Sequence, residues 1–178
     1  MIKIAAPVFW PQRPQRSQSG IFEFSSFFAV KIVNSSRKYR KDDLFKMTEV
    51  EAKELCDRIR QIAYELHVHL WVGYLEKVYE NGLKHRLEKA GYHIQTQFPI
   101  QVRDVDGFIL GDYSADMIVD GLMIELKSVS MLTQSHVAQI INYLKATNQE
   151  HGLLINFGSE KFQCRKIIRS ISFRENQD

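Results

Sequence analysis

Apolar positions recur with two different periods along this chain of 178 residues, and the change of period divides it into elements. From Glu49 to about His69 the positions Ala52, Leu55, Cys56, Ile59, Ile62, Ala63 and Leu66 fall on one helical face. Thr48 and Glu51 form a Thr-x-x-Glu capping box at its start. Val72 and Gly73 interrupt the pattern. A second helical stretch runs from about Leu75 to Ala90, with Leu75, Val78, Tyr79, Leu83 and Leu87 as its apolar positions. Glu76 and Glu80 lie one turn apart on a neighbouring face, and Gly91 is a natural C′ residue. Period two follows. His93 to Val102 alternates, and Pro99 marks an edge strand or a bulge. Asp104 to Gly107 is a turn, and Phe108 to Val119 is a longer extended run bent near Gly111. Asp120-Gly121 then leads into Leu122–Val129. Thr133 caps a third helix to about Ala146, with Val137, Ile140, Ile141 and Leu144 on its apolar face. His151 to Phe157 is a continuous apolar strand, and Phe162 to Ile168 returns as a last one. A strand–helix–strand unit favours a parallel, right-handed crossover. The expected fold is α/β, a mixed four- to five-stranded sheet flanked by helices.

Composition adds boundaries. An apolar content of 44% and an aromatic content of 11% support a packed core. The net charge of +3 is uneven. Residues 1–46 hold nine Lys or Arg against three acids, whereas residues 47–178 hold fifteen against eighteen. The first segment, with Pro7, Pro11, Pro14 and a polar run at 12–20, is expected to be a basic, loosely ordered extension. In it, Ile21 to Val33 fits a short strand pair or a helix equally. Its opening run has no clear secretory cleavage site, and its aromatic content fits a transit peptide poorly. Met47, where the clean helical pattern opens, is either the natural start or the first residue of a domain spanning 47–178. Gln177 and Asp178 are expected to fray. No apolar run approaches the roughly 18–20 residues that span a bilayer. Cys56 and Cys164 lack metal-ligand spacing and read as free thiols of a reducing compartment, so a cytoplasmic location is expected.

The centre of the chain carries the candidate chemistry. Asp-Gly between apolar runs signals a two-residue hairpin. Such a loop pairs Val119 with Leu122 and, three rungs further, Asp116 with Glu125. Directly opposed residues have Cβ atoms roughly 4.5–5.5 Å apart. Lys127 shares the face of Glu125, while Leu122, Ile124 and Leu126 occupy the other. Opposed carboxylates destabilise a ladder. A hard divalent cation such as Mg²⁺ would reconcile them, and so would simple neutralisation by Lys127 in a surface triad.

Three motifs in order give the cluster a context. Asp116 followed by Glu125-Leu126-Lys127 on the next strand resembles the PD-(D/E)XK nuclease signature. Gly73-Tyr74-Leu75-Glu76-Lys77-Val78-Tyr79 matches the pattern that names the GxxExxY family of small PD-(D/E)XK-like proteins. Gln139-Ile140-Ile141-Asn142-Tyr143 matches the QxxxY motif of the RecB-like branch. The resemblance covers roughly residues 48 to 170. The proline of the formal signature is replaced by Ala115.

The resemblance implies a restriction-endonuclease-like core and Mg²⁺- or Mn²⁺-dependent hydrolysis of phosphodiester bonds, in DNA ahead of RNA. It implies Glu76, Asp116 and Glu125 as metal ligands, with the Leu126 carbonyl as a further candidate, and Lys127 as the residue that orients water or stabilises developing charge. Gln139 would hydrogen-bond phosphate, base or an active-site acid. Tyr143 would stack or donate to phosphate. Without the resemblance Glu76 would read as a solvated helical acid, and Gln139 and Tyr143 as an ordinary helix face. Tyr79 fits packing equally well, and Gly73 is expected to allow close approach at the helix start. His136 would line the same side as Gln139, and His67 is a core or cap histidine. The slight acidity of residues 47–178 favours a rival, a non-catalytic nuclease-fold module that binds nucleic acid or a protein. A further rival is a metal-binding scaffold whose partner grips DNA. A homodimer or a protein partner would supply a larger groove.

Overall fold

The structure, a computed structural model, describes residues 47–169. The expectations for 1–46 and for the C-terminal tail lie outside the described residues. Eight elements follow in the expected order. They are α1 (Glu49–Leu70), α2 (Glu76–Lys89), β1 (Ile94–Arg103), β2 (Ile109–Val119), β3 (Leu122–Lys127), α3 (Gln134–Ala146), β4 (His151–Asn156) and β5 (Gln163–Ile168).

The five strands form one sheet in the order β1-β2-β3-β4-β5. Only β3 and β4, joined through α3, run parallel, and the other neighbours are antiparallel. This is the mixed sheet with flanking helices that the periodicity predicts. Pro99 sits on the edge strand β1, the place in a sheet where proline is tolerated. Asp120 and Gly121 both have positive φ, 44° and 92°. They make the tight turn whose twist matches the strands.

The sheet separates two apolar layers. On one face Leu122, Ile124, Leu126, Met117, Val119, Leu153 and Ile155 pack against α1 and α2. On the other, Ile118, Met123 and Leu154 pack against Ile140, Tyr143 and Leu144 of α3. Each fully buried Leu or Ile contributes about 1.5–3 kcal/mol relative to exposure. β3 and β4 are covered on both faces, which is why they read as unbroken apolar runs. The α1 stripe is as expected, with Ala52, Cys56, Ile59, Ala63 and Leu66 buried and the capping box present. The α2 stripe is narrower. Tyr79, Leu83 and Leu87 are buried, but Leu75 precedes the helix and stands exposed, and Val78 is also exposed.

Candidate active site

The register places the central acids. Val119 pairs with Leu122 and Met117 with Ile124, and there the β2–β3 ladder ends. At the next rung, where Asp116 faces Glu125, the strands part. The Leu126 N–H donates to Asp116 Oδ2 at 2.7 Å. A carboxylate thus replaces a backbone partner, which anchors Asp116 and leaves its other oxygen for other work. Glu125 is 2% exposed. Its Oε1 accepts from Lys127 Nζ at 2.7 Å, and its Oε2 is buried without a hydrogen-bond partner. A buried unpaired carboxylate oxygen is costly.

Glu76 reaches this cluster from α2, at the first turn of the helix. Its Oε2 accepts from the Ser128 N–H at 3.1 Å, just beyond the end of β3. The Ser128 hydroxyl donates to the Tyr74 carbonyl at 3.0 Å, a second tie between the two segments. Tyr79 organises the loop before α2. It is fully buried and stacks on Phe157 at 4.8 Å. Its hydroxyl donates to the Trp71 carbonyl at 2.7 Å and accepts from the Tyr74 N–H at 3.2 Å. Gly73 is required for its φ of +111°, while a Cβ there would meet nothing within 4 Å. The expected close approach at Gly73 is therefore absent, and backbone conformation is the reason for the glycine. Trp71 adopts φ 61°, ψ −171°, a region otherwise left almost entirely to glycine.

Two participants escape motif reasoning. Glu80, one turn beyond Glu76, is 5% exposed and pairs with Lys77 at 2.6 Å. It sits at the rim of the apolar stripe, beside Tyr79 and three residues before Leu83, and that position was the available signal. Asn156, fully buried at the end of β4, clamps the loop after β3. Its Oδ1 accepts from the Val129 and Gly158 N–H groups, both at 3.0 Å. Its amide donates to the Val129 carbonyl at 2.8 Å and to Gln163 Oε1 at 3.0 Å. A Cβ on Gly158 would collide with the backbone of Ser128 and Val129. An asparagine closing an apolar run was the sequence signal, since buried polar groups are hydrogen-bonded.

Burial, with the adjacent Asp116 charge, pushes the Glu125 carboxyl up to about 7 despite Lys127. Burial also raises Asp116, against the Leu126 hydrogen bond and Lys127, with Glu76 and Glu80 adding repulsion. Burial alone would lower Lys127. The hydrogen bond to Glu125 and the charges of Glu125, Asp116 and Glu76 outweigh it and raise it. The ammonium therefore stays charged while the acids compete for a proton.

Asp116, Glu125, Lys127 and Glu76 are thus brought together. Gln139 and Tyr143 lie on α3, over the same sheet face as Glu125. The Gln139 amide donates to the Tyr143 hydroxyl at 3.0 Å, and the Tyr143 ring packs near Tyr113 at 5.9 Å. No described hydrogen bond joins either to the acids. His136, three residues before Gln139 on α3, caps the helix, its Nδ1 accepting from the Thr133 N–H at 3.1 Å. His67 is a core residue, 2% exposed and stacked on Trp71. Both cysteines are free, and burial pushes their thiols up to about 11 for Cys56 and about 12 for Cys164. Neither is a nucleophile at neutral pH.

Among the described residues no group of three or more His, Cys, Asp or Glu side chains is already drawn together as a metal cage. The donor set nevertheless suits a hard cation. The buried, unpartnered Glu125 Oε2 lies in a cluster of mutually repelling carboxylates, and oxygen-only donors suit Mg²⁺ or Mn²⁺.

A model of the PD-(D/E)XK nuclease superfamily matches residues 53–169, and the chain belongs to that superfamily. Its members generally use divalent metal ions. None of the curated proteins matches the chain. A solved structure described as "Crystal structure of SSO0001" is similar over 54% of this chain and 50% of that one, at 19% identity and a TM-score of 0.44. The chain thus spans about half the length of that protein. None of the described helices is long and apolar enough to cross a membrane.

Proposed function

We propose that the protein is a metal-dependent nuclease that hydrolyses phosphodiester bonds, in DNA ahead of RNA. The observation that carries this is the buried, unpartnered oxygen of Glu125, set between Asp116 and Lys127 where the β2–β3 ladder parts. Asp116 and Glu125, with Glu76 as the third acid, would hold Mg²⁺ or Mn²⁺. When bound, the cation supplies positive charge to phosphoryl oxygens and acidifies water. Lys127, held by Glu125 within reach of the same space, orients the attacking water and stabilises developing negative charge. Gln139 and Tyr143 contact the nucleic acid by hydrogen bonding and stacking. The motifs at Gly73–Tyr79 and Gln139–Tyr143 support placement in the GxxExxY family, on the RecB-like branch. Residues 47–178 form the catalytic domain in this reading and 1–46 an extension, in a cytoplasmic protein. A second copy or a protein partner widens the groove.

The second reading is a nuclease-fold module that binds nucleic acid or a protein without cutting. It is favoured by the closed Lys127–Glu125 ion pair and by the excess of acids over bases in residues 47–178. End-labelled DNA, single- and double-stranded, and RNA, incubated with the full chain and Mg²⁺, Mn²⁺ or EDTA, separate the two. The enzyme cuts DNA with either metal and not in EDTA. Oligonucleotide binding with no cutting under any condition supports the module.

A further inference from the structure

We infer that Trp71 and Tyr74 form a stacking platform for unpaired nucleobases beside the acidic cluster, so that the substrate is nucleic acid with accessible bases, a single strand or frayed end, ahead of intact duplex. This rests on the nuclease reading for the identity of the polymer. The placement comes from the loop before α2. The Tyr74 carbonyl accepts from the Ser128 hydroxyl, and the Ser128 N–H donates to Glu76. The loop is therefore tied to Ser128 by one hydrogen bond, and Ser128 in turn to Glu76 by another.

Both rings are open and backed. Trp71 is 51% exposed and Tyr74 52%. The Trp71 ring stacks against buried His67 at 5.7 Å and 26°. Tyr74 meets Tyr79 in an edge contact at 6.2 Å and 77°. The backbone beneath them is tied at three points: Trp71 N–H to the His67 carbonyl at 2.7 Å, and the two bonds of the Tyr79 hydroxyl. A rigid, half-open aromatic ring loses little freedom when a base stacks on it.

Tryptophan is the wrong residue for this backbone. At φ 61°, ψ −171° glycine alone is at ease, so the backbone conformation gives no reason for an indole whose ring stacks on His67 with half its surface left open. Charge points the same way. Residues 47–178 hold more acids than bases, and carboxylates gather at the site itself. Duplex binding draws mostly on phosphate neutralisation. Aromatic stacking on unpaired bases adds affinity at each base beyond any phosphate contact and tolerates any base sequence.

The test uses the full chain with Ca²⁺ in place of Mg²⁺ and measures anisotropy of labelled oligothymidylate, an abasic strand of the same length, and a duplex. Wild type binds oligothymidylate roughly tenfold more tightly than the abasic strand, and Trp71→Gly or Tyr74→Ala each weakens it roughly fivefold or more without changing the abasic strand. Trp71→Phe and Tyr74→Phe, which keep a ring, stay within about twofold of wild type. Trp71→Gly relaxes the backbone but also loses the stack on His67, so thermal melts and unchanged binding of the abasic strand separate its loss of affinity from unfolding. Equal binding of abasic and base-bearing strands, or unchanged affinity in both ring-deletion variants, overturns the platform and leaves the nuclease reading intact. Failure to bind any oligonucleotide overturns both.

Discussion

Glu125 makes folding and ionisation oppose one another. Its carboxyl ordinarily loses its proton near 4.5 and in the folded protein does so at about 7. Below the lower value both folded and unfolded chains are protonated. As pH rises through the interval, the unfolded chain ionises freely while the folded one resists. Stability is therefore fully present below about 4.5 and declines up to about 7, by about 3 kcal/mol for this group alone. Thermal melts in EDTA should show that decline, and Glu125→Gln should flatten it and melt higher than wild type at pH 8. A wild-type melting temperature that rises across the interval contradicts the assignment.

Asn156 also has a measurable role. Removing its buried side chain leaves the half-buried Val129 and Gly158 N–H groups without their acceptor and the Val129 carbonyl without this donor. Asn156→Ala should cost about 2–4 kcal/mol. Hydrogen exchange should also speed at Ser128 and Val129 before it does in β4. Uniform loss of protection would make Asn156 a general core residue and not a clamp on the site.

At the scale of elements, the loop after β3 and the loop before α2 bring the helical acid to the strand acids. Gly158 lets the first pass close to the backbone of 128–129, and Gly158→Ala should destabilise by about 2 kcal/mol or more, read in urea melts. Tyr79 fixes the second. Tyr79→Phe keeps the stack on Phe157 but loses both hydroxyl bonds. A stability loss of about 1–2 kcal/mol is expected. Unchanged stability would mean that the loop is held by other contacts.

The elements themselves were legible in the chain. Period two with Asp120-Gly121 sets the β2–β3 register, because a slip of one residue would turn every side chain to the wrong face. The shared face of Asp116, Glu125 and Lys127 follows from that register. The capping pair Thr48–Glu51 marks the start of α1 equally well. Other features depend on contacts between distant segments. The burial of Glu80, the clamp of Asn156 on Val129 and the reason for Gly73 are set by how α2 and β4 approach the end of β3, which periodicity does not encode. Val78 and Leu75 failed for a related reason: α2 covers the sheet with a narrower stripe than its apolar content suggests.

For the whole molecule, a sheet covered on both faces holds a strained group of acids at the point where two strands part. The superfamily match accounts for that architecture. The central claim is that these acids hold a divalent cation and that Lys127 acts in the chemical step. Mn²⁺ titration of the full chain by calorimetry, with strand cleavage assayed on the same samples, tests both parts. Wild type should bind Mn²⁺ and cut. Asp116→Asn and Glu125→Gln should lose roughly tenfold or more in Mn²⁺ affinity together with cutting. Lys127→Ala should keep the ion and lose cleavage. Full Mn²⁺ affinity in Glu125→Gln, or cleavage that survives Lys127→Ala, would contradict the account.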